Sequence, residues 1–326
     1  MARLTKREAI GVGIETTQGT YVAPVNTSAA VTGYFWAEGV DLQLNSENLE
    51  RNYFRTTLDP IAIVKGKKSA SLKFKCELLH SGADAEQAVI KTLLEACGMI
   101  HGGASTDYFL PVSTPPTTGF SSASGVSKSC SFLVNKDGTE HLLRGCVGTF
   151  KITLEAGKIA MLDFDFKGLV EGAAFGTATA LSTIYYANNG STVTNAVQKS
   201  SSFTFASSSD YIVPKIEIDM GNEIIERMNI EASQGIEGYA LIGRKPTMNI
   251  SIEAPAFGTH DVIGMFEAGT SGAAEVDALD YLFNMPAAQV ISANYTDIGG
   301  ILGHDVSFQL NTSAGDDCIK ITADES

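Results

Sequence analysis

Histidines, cysteines and carboxylates are the side chains with which this chain could do chemistry, and their spacing argues against each use in turn. His80, His101, His141, His260 and His304 fall at no HxH or HxxxH interval that would bring two imidazoles to one metal ion. Cys76, Cys97, Cys130, Cys146 and Cys318 are odd in number and have no CxxC pair. They read as buried free thiols rather than a zinc site or a disulfide framework. Gly145-Cys146-Val147-Gly148-Thr149 lacks the Lys-Ser/Thr ending of a phosphate loop, and no GxSxG nucleophile elbow occurs. Asp316-Asp317, with Asp305 nearby, reads as a solvated turn, because calcium wants more oxygen ligands at tighter spacing. The pattern points away from an enzyme and implies no cofactor and no metal.

The elements that carry these residues are strands. Leu72, Phe74 and Cys76 alternate with Lys73 and Lys75, as Phe150, Ile152 and Leu154 do with Lys151 and Thr153. Leu162, Phe164 and Phe166 alternate with Asp163 and Asp165, and Ile216, Ile218 and Met220 with Glu217 and Asp219. Period-2 alternation gives one buried and one polar face, the mark of an antiparallel sheet. Tyr34 to Leu44 fits one more strand and holds Trp36, expected in packing. Residues 83–97 have apolar positions at helical spacing. Residues 101–129, rich in Gly, Ser, Thr and Pro, read as loop.

The alternating segments recur. Glu50-Arg51 returns as Glu226-Arg227, and Leu72, Phe74 and Cys76 return as Met248, Ile250 and Ile252, all at a spacing of 176 residues. Each copy carries a basic stretch read as a turn, Gly66-Lys67-Lys68 and Gly243-Arg244-Lys245, then a short helix stopped by glycine and a final hairpin. This order predicts a duplication. The expected fold is mainly β: two tandem antiparallel β-sandwich or barrel domains, each with a flanking short helix and a long β-hairpin. The boundaries fall at an N-terminal arm 1–35, a first domain 36–168, a linker 169–212 and a second domain 213–326. With 326 residues there is room for two cores.

The formal net charge of −14 repels nucleic acid, since gripping DNA requires basic patches. No apolar run approaches the ~20 residues of a membrane helix. The start of the chain lacks the apolar core of a secretory signal.

The opening Glu15-Thr16-x-x-Gly19-Thr20-x-x-x-Pro24, then Arg51 and Arg55, the glycine-lysine stretch, the alternating strand and Leu93-Leu94-Glu95-Ala96-Cys97-Gly98 resemble tail tube (major tail) proteins of long-tailed bacteriophages. The likeness covers most of the first half and, through the repeat, much of the second. It implies a structural virion protein, made in the host bacterial cytoplasm, whose β-sandwiches join edge to edge into rings that stack into a tube. The implied partners are other copies of the chain, a tape measure protein inside the tube, tail terminator and distal tail proteins, and double-stranded DNA that passes without specific binding. No membrane is implied.

Sixfold rings in that family lead to the expectation of three two-domain chains per ring, with six chains as the competing arrangement. Candidate inter-ring or inter-subunit hairpin residues are Arg51, Arg55, Lys67, Lys68, Arg227, Arg244 and Lys245. Asp163, Asp165, Glu217 and Asp219 are candidates for an acidic lumen. A second reading, a receptor- or carbohydrate-binding β-sandwich, rests on Tyr185-Tyr186 with Asn188-Asn189 as an aromatic and amide cluster.

Overall fold

A computed structural model describes residues 4, 6–25, 33–51, 53–54, 56–57, 59–78, 84–102, 108–113, 128–175, 181, 184, 186, 198, 201–209, 211–254, 261–278 and 281–323. Among them are eighteen strands and two helices. The protein is mainly β.

In the first half, β1 (Glu8–Ile14), β2 (Tyr34–Phe35), β3 (Glu38–Leu49) and β4 (Val64–Glu77) are followed by α1 (Asp84–Ala96) and the short strands β5 (Met99–Gly102) and β6 (Tyr108–Pro111). Then come β7 (Cys130–Lys136), β8 (Thr139–Glu155) and β9 (Met161–Phe175). The second half has β10 (Ser202–Phe205), β11 (Lys215–Asp219), β12 (Asn222–Met228), β13 (Ile236–Arg244) and β14 (Thr247–Glu253). It closes with α2 (Val262–Glu267), β15 (Ser271–Ala278), β16 (Tyr281–Ile298), β17 (Ile301–Asn311) and β18 (Lys320–Ala323).

Alternation places the core. Leu72, Phe74 and Cys76 of β4 are buried while Lys73 and Lys75 face outward, and β8 and β9 divide their residues the same way. Phe132 of β7 closes the core from the other side, its ring 4.9 Å from Phe166 and 5.8 Å from Phe74. This is sheet-on-sheet packing. The long strand β8 serves both sheets: residues 140–146 pair with β7 and residues 151–155 with β11. A bulge between Arg144 and Val147, with Gly145 at φ +60, separates the two stretches.

The strand order of the first half is β3-β4-β9-β8-β7-β1, and that of the second is β11-β14-β17-β16-β15-β10. Every one of these pairings is antiparallel. Leu42 sits opposite Leu72 as Ile218 sits opposite Met248, and Phe74 opposite Phe164 as Ile250 opposite Val306. A helix follows the same strand in each half. α1 is succeeded by Gly98 at φ +79, while α2 starts from Asp261, whose carboxylate accepts the Gly264 amide at 2.8 Å, and is succeeded by Gly269 at φ +60.

The halves share one sheet and one core. β8 pairs with β11, Ile152 opposite Ile218, so that β3-β4-β9-β8-β11-β14-β17-β16 runs unbroken. The buried cluster extends from Ile10 to Ala323. β18, which pairs with β16, also takes β6 as a partner, Ile321 opposite Phe109. The β12–β13 hairpin lies over the first half, where Ile236 and Tyr239 pack on Val147 and Leu169.

The structure corrects several expectations. Residues 8–14, expected in an arm, form a core strand between β2 and β7, with Val12 fully buried. Gly66-Lys67-Lys68 is not a turn but part of β4, because β3 extends to Leu49 and pairs with it, Ser46 opposite Lys68. Gly243-Arg244-Lys245 does mark a break, where β13 ends before β14. The stretch 101–129 contains β6, held by a strand near the other end of the chain. β9 continues past the boundary at 168 to Phe175, and β10 falls within 169–212. Tyr34–Leu44 is split into β2 and β3 around Trp36-Ala37. All five cysteines are buried free thiols.

Candidate functional site

The four acidic candidates stand on one face of the eight-stranded sheet, the face turned away from the core. Antiparallel register brings them beside lysines: Lys73 opposite Asp165, Lys75 opposite Asp163, Lys151 opposite both Asp163 and Asp219. Lys73 Nζ lies 2.9 Å from Asp165 Oδ2, and Lys75 Nζ 2.9 Å from Asp163 Oδ1. Glu217 is held twice, 2.7 Å from Lys151 Nζ and 2.6 Å from Lys215 Nζ. Asp219 accepts the Gly221 amide at 2.8 Å.

These contacts set the ionisation of the face. Partial burial pushes the Glu217 carboxyl up, but hydrogen bonds from Lys151 and Lys215 outweigh it and hold the group below the ordinary glutamate range. The hydrogen bond to Asp165 raises Lys73, and the one to Glu217 raises Lys215. The face is therefore a ladder of paired charges rather than a sheet of bare carboxylates. Alternation indicated that the acids share a face; the lysines that neutralise them emerge only once register is known.

The basic candidates scatter. Lys67 Nζ lies 2.7 Å from Glu226 Oε2 and ties β4 to the second-half hairpin. Arg51 donates to the Ala62 carbonyl at 3.0 Å. Arg244 turns inward, donating to the Val112 carbonyl and lying 3.9 Å from Asp316. Lys68 stands on β4, Arg227 on β12 opposite Gly238, and Lys245 between β13 and β14. Arg55 lies outside the described residues. Around the hairpins large apolar side chains also stand exposed among the polar ones, including Phe54, Ile230, Met228 and Tyr53. These apolar positions are readable in the sequence, but no period sets them apart from core residues.

Of the aromatic and amide cluster, Tyr185, Asn188 and Asn189 lie outside the described residues. The Tyr186 ring lies 6.1 Å from that of Trp36, tilted at 42° to it. The Asp317 carboxylate is used inside its own turn, accepting from Thr312 Oγ1 at 2.5 Å and from the Ser313 and Ala314 amides. Asp305 accepts from Ser251 instead. Among the described residues no group of three or more His, Cys, Asp or Glu side chains could hold a metal ion.

The opening motif has a structural use. Glu15, 2% exposed, accepts from Ser129 Oγ (2.6 Å), Ser131 Oγ (2.6 Å), the Gly145 amide (2.7 Å) and the Gly19 amide (2.7 Å). Gln18 then reaches the Tyr239 carbonyl on the second-half hairpin, at 2.7 Å.

A sequence model of the family described as phage tail tube protein matches residues 5–311. The chain belongs to that family. As a tail tube protein it is a structural component of the phage tail and is located in the virion. The family implies self-assembly into a tube. No curated protein matches the chain. No helix among the described residues is long and apolar enough to cross a membrane.

Proposed function

We propose that three copies of this tail tube protein close a ring of six sandwich units, that the rings stack into the tail tube, and that the channel passes the genome during ejection without binding it and without catalysis. What carries this reading is the β8–β11 pairing, because one chain already contains the edge-to-edge junction that a ring needs between neighbours. The shared strand order supports a duplicated tube domain, with units near 36–168 and 213–326, so that each chain fills two adjacent ring positions. Three chains at −14 each give a ring charge of −42.

The face bearing Asp163, Asp165, Glu217 and Asp219 lines the bore in this reading, and the apolar hairpin residues stack ring on ring. A tape measure protein occupies the channel before ejection, and terminator and distal tail proteins close its ends. Ring closure also removes the open sheet edges that otherwise template aggregation. Native mass spectrometry of purified rings tests the count: three full-length chains support the proposal, and six overturn the two-positions-per-chain arrangement. A bore lined mainly by unpaired Lys and Arg in an assembled tube would overturn the channel assignment.

A further inference from the structure

Among the described residues two strand pairings join the halves, β6–β18 and β8–β11, and the second joins the two ends of the half-sheets that form the eight-stranded sheet. At that junction Ile152 sits opposite Ile218 and Lys151 opposite Asp219, and the Met220 amide donates to the Phe150 carbonyl at 3.1 Å. Among the described residues the matching edges are β3, which pairs with β4 alone, and residues 292–298 of β16, which pair with β17 alone. By strand order β3 is to the first half what β11 is to the second, and β16 corresponds to β8.

Exposure at matched positions differs where a neighbour is missing. Ile218 and Met220 are each 1% exposed, whereas Leu42 is half-buried and Leu44 is 48% exposed. Ile152 is 1% exposed, and its counterpart Tyr295 is 69% exposed. The turns match too. After β8, the Ala156 amide donates to the Pro214 carbonyl at 2.9 Å, seating the β8–β9 turn against the approach to β11. At the corresponding place beside β3 there is an open groove of about 770 Å³ bordered by Phe35, Trp36, Glu38, Val40 and Tyr186. The corresponding turn, Gly299-Gly300, is braced by the Asp297 carboxylate on the Gly300 amide (2.6 Å) and followed by exposed Ile301 and Leu302.

We propose that both edges are covered by further copies of this chain in one specific register: Asp41 opposite Thr296, Leu42 opposite Tyr295, Gln43 opposite Asn294 and Leu44 opposite Ala293, with the Gly299-Gly300 turn of one copy seated in the Trp36 groove of the next. The proposal rests on the ring reading and adds the residues that make its inter-chain joint. The register is the internal junction carried over residue by residue. It puts Leu42, Leu44, Ala293 and Tyr295 on the core side and opposes Asp41 with Thr296 and Gln43 with Asn294, hydrogen-bonding pairs without like charges. A slip of one residue would turn the leucines to the polar face.

Two full-length double variants test it, Leu42→Cys with Tyr295→Cys and Asp41→Cys with Thr296→Cys. Opposed residues alternate between close and wide pairs, so one of the two has a spacing that a disulfide accepts. The five native thiols are buried. After mild oxidation of assembled protein, at least one variant is expected to run as covalent multimers on a non-reducing gel. The single variants and the slipped pair Leu42→Cys with Thr296→Cys are expected to stay monomeric. In the unsubstituted protein, hydrogen exchange at amides within 41–44 and 293–297 is expected to slow on assembly. Cross-linking of the slipped pair, or rings seen by electron microscopy without either in-register cross-link or the slowed exchange, would overturn the register and leave the ring standing. Failure of the unsubstituted protein to form rings would overturn the ring reading and the joint with it.

Discussion

Glu15 offers the sharpest test of how the N-terminal segment is fixed, because its buried carboxylate gathers donors from three places. Two are hydroxyls, Ser129 and Ser131, which can turn elsewhere; two are backbone amides, Gly19 and Gly145, which cannot. Gly19 and Gly145 have φ of +78 and +60, and a Cβ on Gly145 would sit 3.5 Å from the Gly19 Cα, so the two turns meet around the carboxylate. Glu15→Ala strands both amides at about 1–3 kcal/mol each and takes the acceptor from both hydroxyls, for an expected loss of roughly 3–5 kcal/mol once partial rehydration of the vacated space offsets part of it. Glu15→Gln keeps the shape but aims an amide nitrogen at one of the two backbone donors, for a loss of about 2 kcal/mol. At roughly 2 °C per kcal/mol for a chain of this size, thermal unfolding should fall by about 6–10 °C for Ala and about 4 °C for Gln. Hydrogen exchange at Gly19 and Gly145 should accelerate in both. An alanine variant within about 1 kcal/mol of the parent, or unchanged exchange at the two glycines, would refute the assignment.

Other substitutions separate packing from polar anchoring. Phe74→Ala, which removes a ring 5.4–5.9 Å from those of Phe35, Phe132, Phe164 and Phe166, should cost about 3–5 kcal/mol in urea unfolding. Asn222→Ala frees the Cys97 and Gly148 carbonyls at the root of the β12–β13 hairpin, at about 1–3 kcal/mol, and should speed proteolysis within the hairpin. Glu217 is held below the ordinary glutamate range, so its contribution is present above that range and disappears as pH falls through the lowered value. The melting-temperature gap between the parent and Glu217→Gln should therefore close as pH drops from about 6 toward about 3.

What could be read from the sequence was whatever a local period encodes. Leu72-Phe74-Cys76 and Phe150-Ile152-Leu154 alternate because a strand buries every second residue, and the helix expected at 83–97 is found at Asp84–Ala96. Ala9–Ile14 can be read as one strand, but the place of β1 in the core was hidden for a physical reason. Its alternate positions are Gly11 and Gly13, and a Cβ there would come within 2.8 Å of Pro24 and 2.6 Å of the Val22 carbonyl, so close approach of the chain replaced polar alternation. β6 has only four residues; it pairs with the equally short β5 on one side and on the other with β18, a partner no local window contains. The glycine and lysines at 66–68 resemble a turn until the length of β3 is known. The lysine partners of the acidic face were equally hidden, since register is a property of two strands at once.

That register changes what the proposed acidic channel would present to DNA. A polyanion sliding past a surface is slowed by cations free to bind phosphate, and bare carboxylates only hold it at a distance. On this face Lys73, Lys75, Lys151 and Lys215 each lie 2.6–2.9 Å from a carboxylate. A phosphate must displace that carboxylate before it gains anything. Pairing also keeps the face soluble and its strands in register, because a slip of one residue breaks every rung of the ladder. In the proposed bore the carboxylates act by occupying the lysines as much as by repelling DNA. Glu217→Gln, which removes the carboxylate partner of Lys151 and Lys215 at once, should raise retention of assembled tubes on immobilised double-stranded DNA above that of the parent, which is expected to show none; equal retention of the two would refute this account.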